Sequence, residues 1–469
     1  MHIAKNKFNN SGVSIVPVSD FAKTHKKWNL FSEIDTLGTY DFFTSLVELS
    51  SLVKADFDAV EKVRGEIGCA KSRGSEKTIN HQQYSALSRV LPLAAHEYTH
   101  FIDSTSTLWG LRHLSLLSDA YLADNVRGGK EEGFYLARKF YDHARSIHLP
   151  KYYTTIEDSV LETRPWKPVI TIGKVFASDG RTSSRPVLFS RFFNAADQSI
   201  TRSPISTISI LEASAMAQEL IMQGRLLDSA EEDFRTVENS LCGQKVMTDL
   251  YNKKLTEYSV CLHVLSHYLG FNDAMTGFAI CGVLTRIVLN MPKSCLEVLI
   301  DKCNISELLR IPPRHEFELR LIEGIRCGDL GILFYLLCRA LPRMQYTSHN
   351  DTMEGVLVAL QKLGIPLELI ISEGAAEATA LADNLSGSGL ESVRTFAQAG
   401  YENFRSIDYA RVDLDFDNLN LPPVLLKDNV TTTIFSSGVN SLENLDLDKT
   451  YDELVRGQEW VDRFSEACL

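Results

Sequence analysis

The chain has 469 residues, of which 44% are hydrophobic and 23% are charged, an ordinary globular composition. At this length two or three domains or lobes are expected, because a single hydrophobic core stops growing at roughly 250–300 residues. The formal net charge is −12 and no basic run is present, which argues against nonspecific binding to nucleic acid.

The N-terminal region predicts a short strand followed by a helix. The first ten residues lack the apolar core of a secretory signal. A strand is predicted at 13–17, and helical periodicity runs from 40 to 64. Residues 71–77 are polar, contain Gly and Ser, and predict a loop.

Residues 96–100 read His-Glu-Tyr-Thr-His, an H-E-x-x-H motif. On a helix the two histidines share a face with about 5–6 Å between their Cβ atoms, so both can reach one Zn²⁺ at about 2.0–2.1 Å. Glu97 lies about 100° further round the helix, where it can remove a proton from a water held on the metal. Pro92, in an apolar stretch, predicts a helix over 92–104. The alternative is a helix with two ordinary histidines, one exposed and one packed.

This segment resembles the active-site helix of the zincin metallopeptidases, which take two His ligands and a catalytic Glu from the motif. The metzincin extension, H-E-x-x-H-x-x-G-x-x-H, is absent, since Asp103 stands at the Gly position and Ser106 at the last His position. The resemblance is therefore to the gluzincins, whose third ligand is a Glu on a later helix. It implies a zincin-like catalytic core with Zn²⁺ as the cofactor.

A catalytic zinc site needs a third protein ligand and one open position. Asp103 shares a helical face with the two histidines, but it stands about 10 Å along the axis from His96, too far for one ion. Asp103 is expected either to orient a ligand or to bond its own backbone at the helix end. The acidic candidates further along the chain are Glu131, Glu132, Glu157, Glu162, Glu212 and Glu219.

Residues 206–225 predict a long helix that carries the best of these candidates. Glu212 and Glu219 are seven residues apart and share a face, where buried carboxylates are costly unless something positive lies against them. Residues 212–215 also resemble the E-x-x-A element of several gluzincin-like families. We predict Glu212 as the third ligand and Glu219 as a supporting acid or substrate contact. The alternative is an amphipathic helix whose two acids face water.

The separation of His100 from Glu212 is long for a gluzincin and requires a large insertion, or a substrate-binding subdomain, between the two ligand helices. Gly110 predicts that the motif helix ends nearby, and residues 112–148 are helical again. Residues 151–204 contain Pro, aromatic and β-branched residues, and we expect them to form a lid or specificity element. Residues 205–338 are continuously helical apart from Gly and Pro breaks.

His263 and His267 are a second pair of histidines spaced four residues apart, with no Glu at the catalytic position between them. A core or cleft helix explains them more simply than a second metal site. If this helix lines the cleft, Tyr258, His263 or His267 could donate a hydrogen bond to the tetrahedral oxyanion.

The remaining features concern cysteines and the C-terminal part. The nine cysteines include no C-x-x-C pair and read as reduced core residues of a cytosolic protein. The most hydrophobic stretch, 274–291, carries Arg286 and predicts a buried helix rather than a membrane span. Residues 343–355 and 383–392 predict linkers, and the tail 413–469 ends in a helix.

The predicted fold is mainly α, with a small β element near the active-site helix and a large helical C-terminal part. Four parts are expected: 1–110 with the active-site helix, 111–204 with the insertion, 205–342 with the third ligand, and 343–469. The predicted protein is a cytoplasmic zinc metallopeptidase that hydrolyses peptide or protein substrates through a metal-bound water activated by Glu97. Neither nucleic acid nor membrane is an expected partner, whereas an intracellular protease leaves room for a regulatory partner. The alternatives are a non-enzymatic helical interaction protein with a structural or vestigial zincin core, and a zinc hydrolase acting on a non-peptide amide.

Overall fold

The computed structural model describes residues 37–72, 78–123, 131–177, 180–270, 273–409, 411–435 and 440–467. Within these ranges the chain is mainly α-helical with a small β part, as predicted. The strand predicted at 13–17 lies outside the described residues.

The described residues form the α-helices and β-strands whose bounds follow. The helices are α1 Lys54–Ser72, α2 His81–Thr105, α3 Leu108–Leu122, α4 Glu131–Ile147, α5 Thr207–Asp228, α6 Glu232–Leu250, α7 Thr256–Leu269, α8 Ala274–Leu289, α9 Lys293–Lys302, α10 Ile305–Leu309, α11 Glu316–Arg326, α12 Leu330–Ala340, α13 His349–Lys362, α14 Leu367–Ser386, α15 Glu391–Ser406 and α16 Leu447–Ala467. The strands are β1 Thr39–Tyr40, β2 Val47–Leu49, β3 Thr155–Ile156, β4 Lys167–Phe176, β5 Thr182–Phe193, β6 Ser199–Ile205, β7 Val424–Leu426 and β8 Thr431–Thr432.

The strands form two sheets, one of which lies against the motif helix. This first sheet has the order β1-β2-β7-β8, with β2 and β7 parallel and the other pairs antiparallel. Strand β2 pairs with β7 through Glu48 opposite Leu425, so the sheet joins segments far apart in sequence. Strands β1 and β2 both pack on α2, and β1 is at the edge of the sheet.

The second sheet occupies the segment expected to be an insertion. It is antiparallel with the order β3-β6-β5-β4, and its long hairpin places Gly173 opposite Val187. The β-branched and aromatic residues of 151–204 suit a pleated, half-buried surface, which explains why this segment departs from the helical pattern around it.

The prediction that the motif helix begins at Pro92 was wrong. Helix α2 begins at His81, because Asn80 and Gln83 cap it reciprocally: the Gln83 backbone N–H donates to the Asn80 side chain at 3.0 Å, and the Asn80 N–H donates to the Gln83 side chain at 3.2 Å. Pro92 therefore lies inside the helix, at the loss of one intrahelical hydrogen bond. From Ala94 to Thr105 every residue is buried, so α2 is a core helix.

The glycine expected to end the motif helix instead lies in the next one. Helix α2 ends at Thr105, and Gly110 is in the first turn of α3. A Cβ atom at Gly110 would lie 2.4 Å from the backbone carbonyl carbon of Ser104. Glycine is therefore needed because the two helices meet in a tight corner.

Three further predicted segments have different bounds in the structure. Residues 40–64 are not one helix, since β1 and β2 pair before α1 begins at Lys54. Residues 343–355 are not a linker throughout, since α13 begins at His349, where the Ser348 side chain accepts from the backbone N–H of Asp351 at 3.2 Å. Likewise α14 continues to Ser386, so only a short turn remains before α15.

The centre of the core is the packing of α2 along α5, and α5 packs in turn on α7 and α8. Polar side chains on the facing sides of α2 and α5 are therefore held together inside the protein. No single helix in the part of the chain that the structure describes is long and apolar enough to span a membrane. Two pairs of successive helices reach the required length and apolar composition only when both helices of the pair are counted together. The two helices meet at a bend of 104° in one pair and 82° in the other.

Candidate metal centre

The three predicted ligands converge where α2 crosses α5. His96 and His100 project from α2 and Glu212 from α5, and one ligand atom from each lies within 4.8 Å of the other two. The side chains are 8%, 5% and 7% exposed respectively. Within the described residues this is the one group of three or more His, Cys, Asp or Glu side chains with such spacing.

The spacing of these atoms fits a bound ion better than a set of hydrogen bonds. His96 Nε2 lies 3.4 Å from Glu212 Oε2, and His100 Nε2 lies 3.6 Å from Glu212 Oε1. A hydrogen bond would span about 2.7–3.2 Å, whereas two ligands of a tetrahedral ion with bonds near 2.0–2.1 Å are about 3.3 Å apart. His100 Nδ1 and Glu212 Oε2 are buried without a hydrogen-bond partner among the described residues. The donor set of two imidazoles and one carboxylate therefore suits a divalent cation such as zinc.

Glu219 supports this group from the other side of the His96 ring. Its Oε2 lies 3.0 Å from His96 Nδ1. With the proton on Nδ1 donated to Glu219, the lone pair of Nε2 is directed towards Glu212 and the ligand position. Carboxylates that fix a ligating imidazole in this way are the usual partners of such ligands.

The pKa values of His96 and Glu212 depend on each other's charge. Burial lowers the pKa of His96, but the nearby carboxylates of Glu212, Glu219 and Glu97 outweigh it, so the pKa lies well above its usual value. Burial raises the pKa of Glu212, but His100 and His96 bring it down to about 2. Without a cation the group is therefore held by a protonated imidazole between carboxylates, and a metal would replace that proton.

Glu97 is a buried residue next to His96 in α2, at the wall of an open cleft. It is 3% exposed, and a Cβ atom added at Gly38 would lie 2.7 Å from its Oε1 atom. Both residues line a cleft of about 610 Å³. The side chains that line this cleft come from five helices and include Tyr84, Leu93, His96 and Glu97 of α2; Met216, Glu219 and Leu220 of α5; Glu238, Leu241, Lys245 and Asp249 of α6; Tyr258 and Ser259 of α7; and Phe278 of α8.

The described residues show no contact of the Asp103 side chain with His96, His100 or Glu212, so its role in orienting a ligand stays a prediction. Its side chain is buried against Ser214 of α5 and Arg286 of α8, and it lines a small internal cavity of about 10 Å³. Burial raises its pKa to about 7, while Ser214 and Arg286 act in the opposite direction. Asp103 lies one turn beyond His100 on α2. The residue of α5 that faces it is Ser214 rather than a carboxylate, so the contacts of Asp103 hold α2 against the core.

Neither histidine of the α7 pair is among the described residues that line the cleft, so the structure gives no support to an oxyanion role for either. His263 is buried with its Nε2 atom 2.9 Å from the carbonyl oxygen of Leu250, and its ring stacks on Trp166 at 5.4 Å. Burial lowers its pKa to about 4, opposed by the hydrogen bond to Leu250. The ring of His267 packs edge-on to the ring of Tyr268. Tyr258 does line the cleft, so its proposed role stays a prediction.

The other acids considered as third ligands are not part of the group. Glu162 forms an ion pair with Lys253 at 3.3 Å. Glu157 is exposed beside the second sheet. The side chains of Glu131 and Glu132 lie outside the described residues. The segment 151–204 contributes none of the described residues that line the cleft, so the lid or specificity role expected there does not apply to this cleft.

Sequence reasoning missed the residues that shape the surroundings of His100 and Glu97. The Tyr40 ring stacks on His100 at 6.3 Å, and the Tyr40 hydroxyl lies 2.5 Å from Ser104 Oγ. Phe42 packs edge-on to His100 at 5.9 Å. These residues and Gly38 precede the motif by more than forty positions, and no local pattern points to them. Only the packing of the first sheet on α2 places them there.

No family model, curated protein or solved structure matches this chain. The likeness of the H-E-x-x-H and E-x-x-A segments to gluzincins is a likeness of short motifs. The geometry of the candidate metal group and the cleft is therefore the basis for a proposed function.

Proposed function

We propose that the protein is a zinc-dependent peptidase of gluzincin-like type, acting on peptides or proteins. The observation that carries the proposal is the convergence of His96, His100 and Glu212 beside Glu97, at the wall of an open cleft. A structural zinc site is closed by four protein ligands, whereas a catalytic site has three and is accessible. The access through Glu97 and His96 favours an enzyme over an interaction protein with a vestigial core.

In this proposal the chain holds the ion with two imidazole nitrogens and one carboxylate oxygen, from His96, His100 and Glu212. Bound Zn²⁺ would supply Lewis acidity, polarising the scissile carbonyl and lowering the pKa of water. Glu219 fixes the tautomer of His96 and so keeps Nε2 available as a ligand.

Glu97 is the proposed general base. Its carboxylate accepts a proton from the attacking water and delivers it to the leaving amine. The Glu97 carboxylate occupies the space that a Cβ atom at Gly38 would take, so Gly38 lies close to it and limits the positions that it can take. A base held in this way needs little reorganisation during the reaction.

An extended peptide is the proposed substrate because of the elements that border the cleft. Leu37 and Gly38 line it, directly before the edge strand β1. An edge strand can pair with an extended peptide through main-chain hydrogen bonds, while apolar side chains such as Leu93 and Met216 contact the substrate side chains. We also propose a cytoplasmic location, since the described cysteines are free thiols and most of them are buried.

The test is zinc analysis of the purified protein together with hydrolysis of a mixed peptide pool, for the wild type and for Glu97→Gln. We expect about one zinc per chain in both proteins and cleavage only by the wild type, slowed at least about 100-fold by the substitution. Zinc bound without hydrolysis of peptides would favour a structural site, or a non-peptide amide if model amides are cleaved. Cleavage retained in Glu97→Gln would overturn the mechanism.

A further inference from the structure

Asp249 is a carboxylate of the cleft that the proposed chemistry does not use. It lies in the last turn of α6 and lines the same cleft as His96 and Glu97. Among the described residues its side chain has neither a hydrogen bond nor an ion pair, and only the charges of Lys245 and Glu219 act on it. The other carboxylates of the cleft wall are engaged, since Glu219 bonds His96 and Glu238 lies 3.6 Å from His81.

The position of Asp249 is unfavourable for a negative charge. The C-terminal end of a helix carries partial negative charge, which repels a carboxylate. Burial raises the pKa of Asp249, Lys245 opposes this, and the charge of Glu219 adds to it. The folded protein therefore carries a negative charge in the cleft that its own residues satisfy only in part, and a cationic group bound there would stabilise it.

Ser259 of α7 is a second group in the cleft without a partner. It is 2% exposed, its Oγ atom makes no hydrogen bond among the described residues, and it lines the same cleft as Asp249. Buried hydroxyl groups are nearly always paired, and a helical serine can bond a carbonyl one turn back. A hydroxyl that does neither is available to a bound group.

Apolar side chains complete the surroundings of these two groups. Val246, Leu250 and Phe278 are buried and line the cleft with Asp249 and Ser259. A surface of this kind suits the methylene stem of a long side chain, whose charged end then reaches the carboxylate. Lysine and arginine have both features.

We propose that Asp249 and Ser259 form a specificity subsite for a lysine or arginine side chain of the substrate peptide. The inference rests on the proposed peptidase function, because it names the substrate class of that same cleft. The α-amino group of a peptide has the same ammonium chemistry, so the experiment has to separate the two sources of the cation.

The test is calorimetric binding of blocked alanine heptapeptides that differ only in a central lysine or norleucine, to the full-length Glu97→Gln protein. A third peptide has norleucine at the centre and a free N-terminus. We expect lysine to be preferred over norleucine by about tenfold, as for a hydrogen bond to a charged group. Asp249→Asn should bring that ratio close to one, and Ser259→Ala should reduce it less.

Asp233→Asn is the matched control, because it makes the same change on the same helix at an exposed residue outside the cleft. It should leave the lysine preference unchanged. Thermal unfolding of each variant shows whether it is folded, and Asp249→Asn is expected to be at least as stable as the wild type.

The outcomes separate the subsite from the proposed function. Equal binding of lysine and norleucine peptides, or a preference that survives Asp249→Asn, overturns the subsite even if the wild type cleaves peptides. Stronger binding of the free-amine peptide than of the blocked lysine peptide assigns the cation to the N-terminus and overturns the side-chain subsite. An Asp249-dependent lysine preference in a protein that cleaves no peptide supports the subsite and contradicts the peptidase.

Discussion

The Nδ1 atom of His96 lies 3.0 Å from Oε2 of Glu219, two turns along α5 from Glu212. One imidazole ring is therefore contacted on both nitrogens by acids of a single helix, since Nε2 lies 3.4 Å from Glu212. Seven residues of helix advance about 10 Å, which leaves room for the ring between the two carboxylates. This arrangement suits the proposed roles, in which His96 is a metal ligand and Glu219 orients its ring.

The two acids are predicted to differ in their effect on metal binding. Glu212→Gln removes the only anionic ligand, so we expect stoichiometric zinc binding to be lost. Glu219→Gln leaves all three ligands in place, and we expect about 10–100-fold weaker binding. Competition with a chromophoric chelator measures both affinities. Equal losses in the two variants would contradict the assignment of separate roles.

Gly38→Ala is predicted to impair Glu97 without removing the metal. The added Cβ atom would lie 2.7 Å from Glu97 Oε1 and about as close to its Cγ and Cδ atoms, so the carboxylate has to move. We expect peptide hydrolysis to fall about 10–100-fold, as for a displaced catalytic group, with unchanged zinc content. Gly65→Ala in α1 is the control, because a Cβ there contacts nothing within 4 Å. Full activity of Gly38→Ala would contradict the position proposed for the base.

Metal affinity is predicted to rise with pH through the neutral range. The pKa of His96 lies well above its usual value because Glu212 and Glu219 outweigh the effect of burial. In the metal-free protein the ring is therefore cationic at neutral pH, and it has to lose a proton to become a ligand. We expect zinc affinity to fall by about tenfold for each pH unit below that pKa, with release of about one proton on binding. Calorimetry in buffers of different ionisation enthalpy measures the proton, and an affinity independent of pH would contradict the prediction.

Asp103→Asn is predicted to change the pH dependence of stability. Burial raises the pKa of Asp103 to about 7 in the folded protein, against an ordinary value of 3.8. The folded state thus binds this proton more tightly than the unfolded state. The stability it contributes is complete below about pH 4 and is lost as the pH rises through 7, up to roughly 4 kcal/mol.

An asparagine cannot ionise, so Asp103→Asn should remove this loss. Urea unfolding at pH 5 and pH 8 is the measurement. At pH 8 the free energy of unfolding of the wild type should fall relative to that of the variant. Asp233→Asn, at an exposed position, should follow the wild type. Parallel pH profiles of Asp103→Asn and wild type would contradict a pKa near 7.

The candidate ligand group could be predicted from the sequence because both halves of it are local patterns. The four-residue spacing of His96 and His100 and the seven-residue spacing of Glu212 and Glu219 each place two side chains on one helical face. Two acids on a face that is turned inward also imply a positive partner, which the histidines provide. The mainly α fold follows from the same periodicity, although Pro92 and Gly110 misled the prediction of helix ends.

The sequence by itself therefore determined which helical faces carry the candidate ligands, because helical periodicity is a property of consecutive residues. Only the tertiary structure decided that α2 crosses α5 at His96, that Gly38 lies against Glu97, and that Asp103 and His263 face the core instead of the cleft. Those outcomes depend on contacts between residues far apart in the chain, and such contacts are set by packing of whole elements rather than by spacing along one of them.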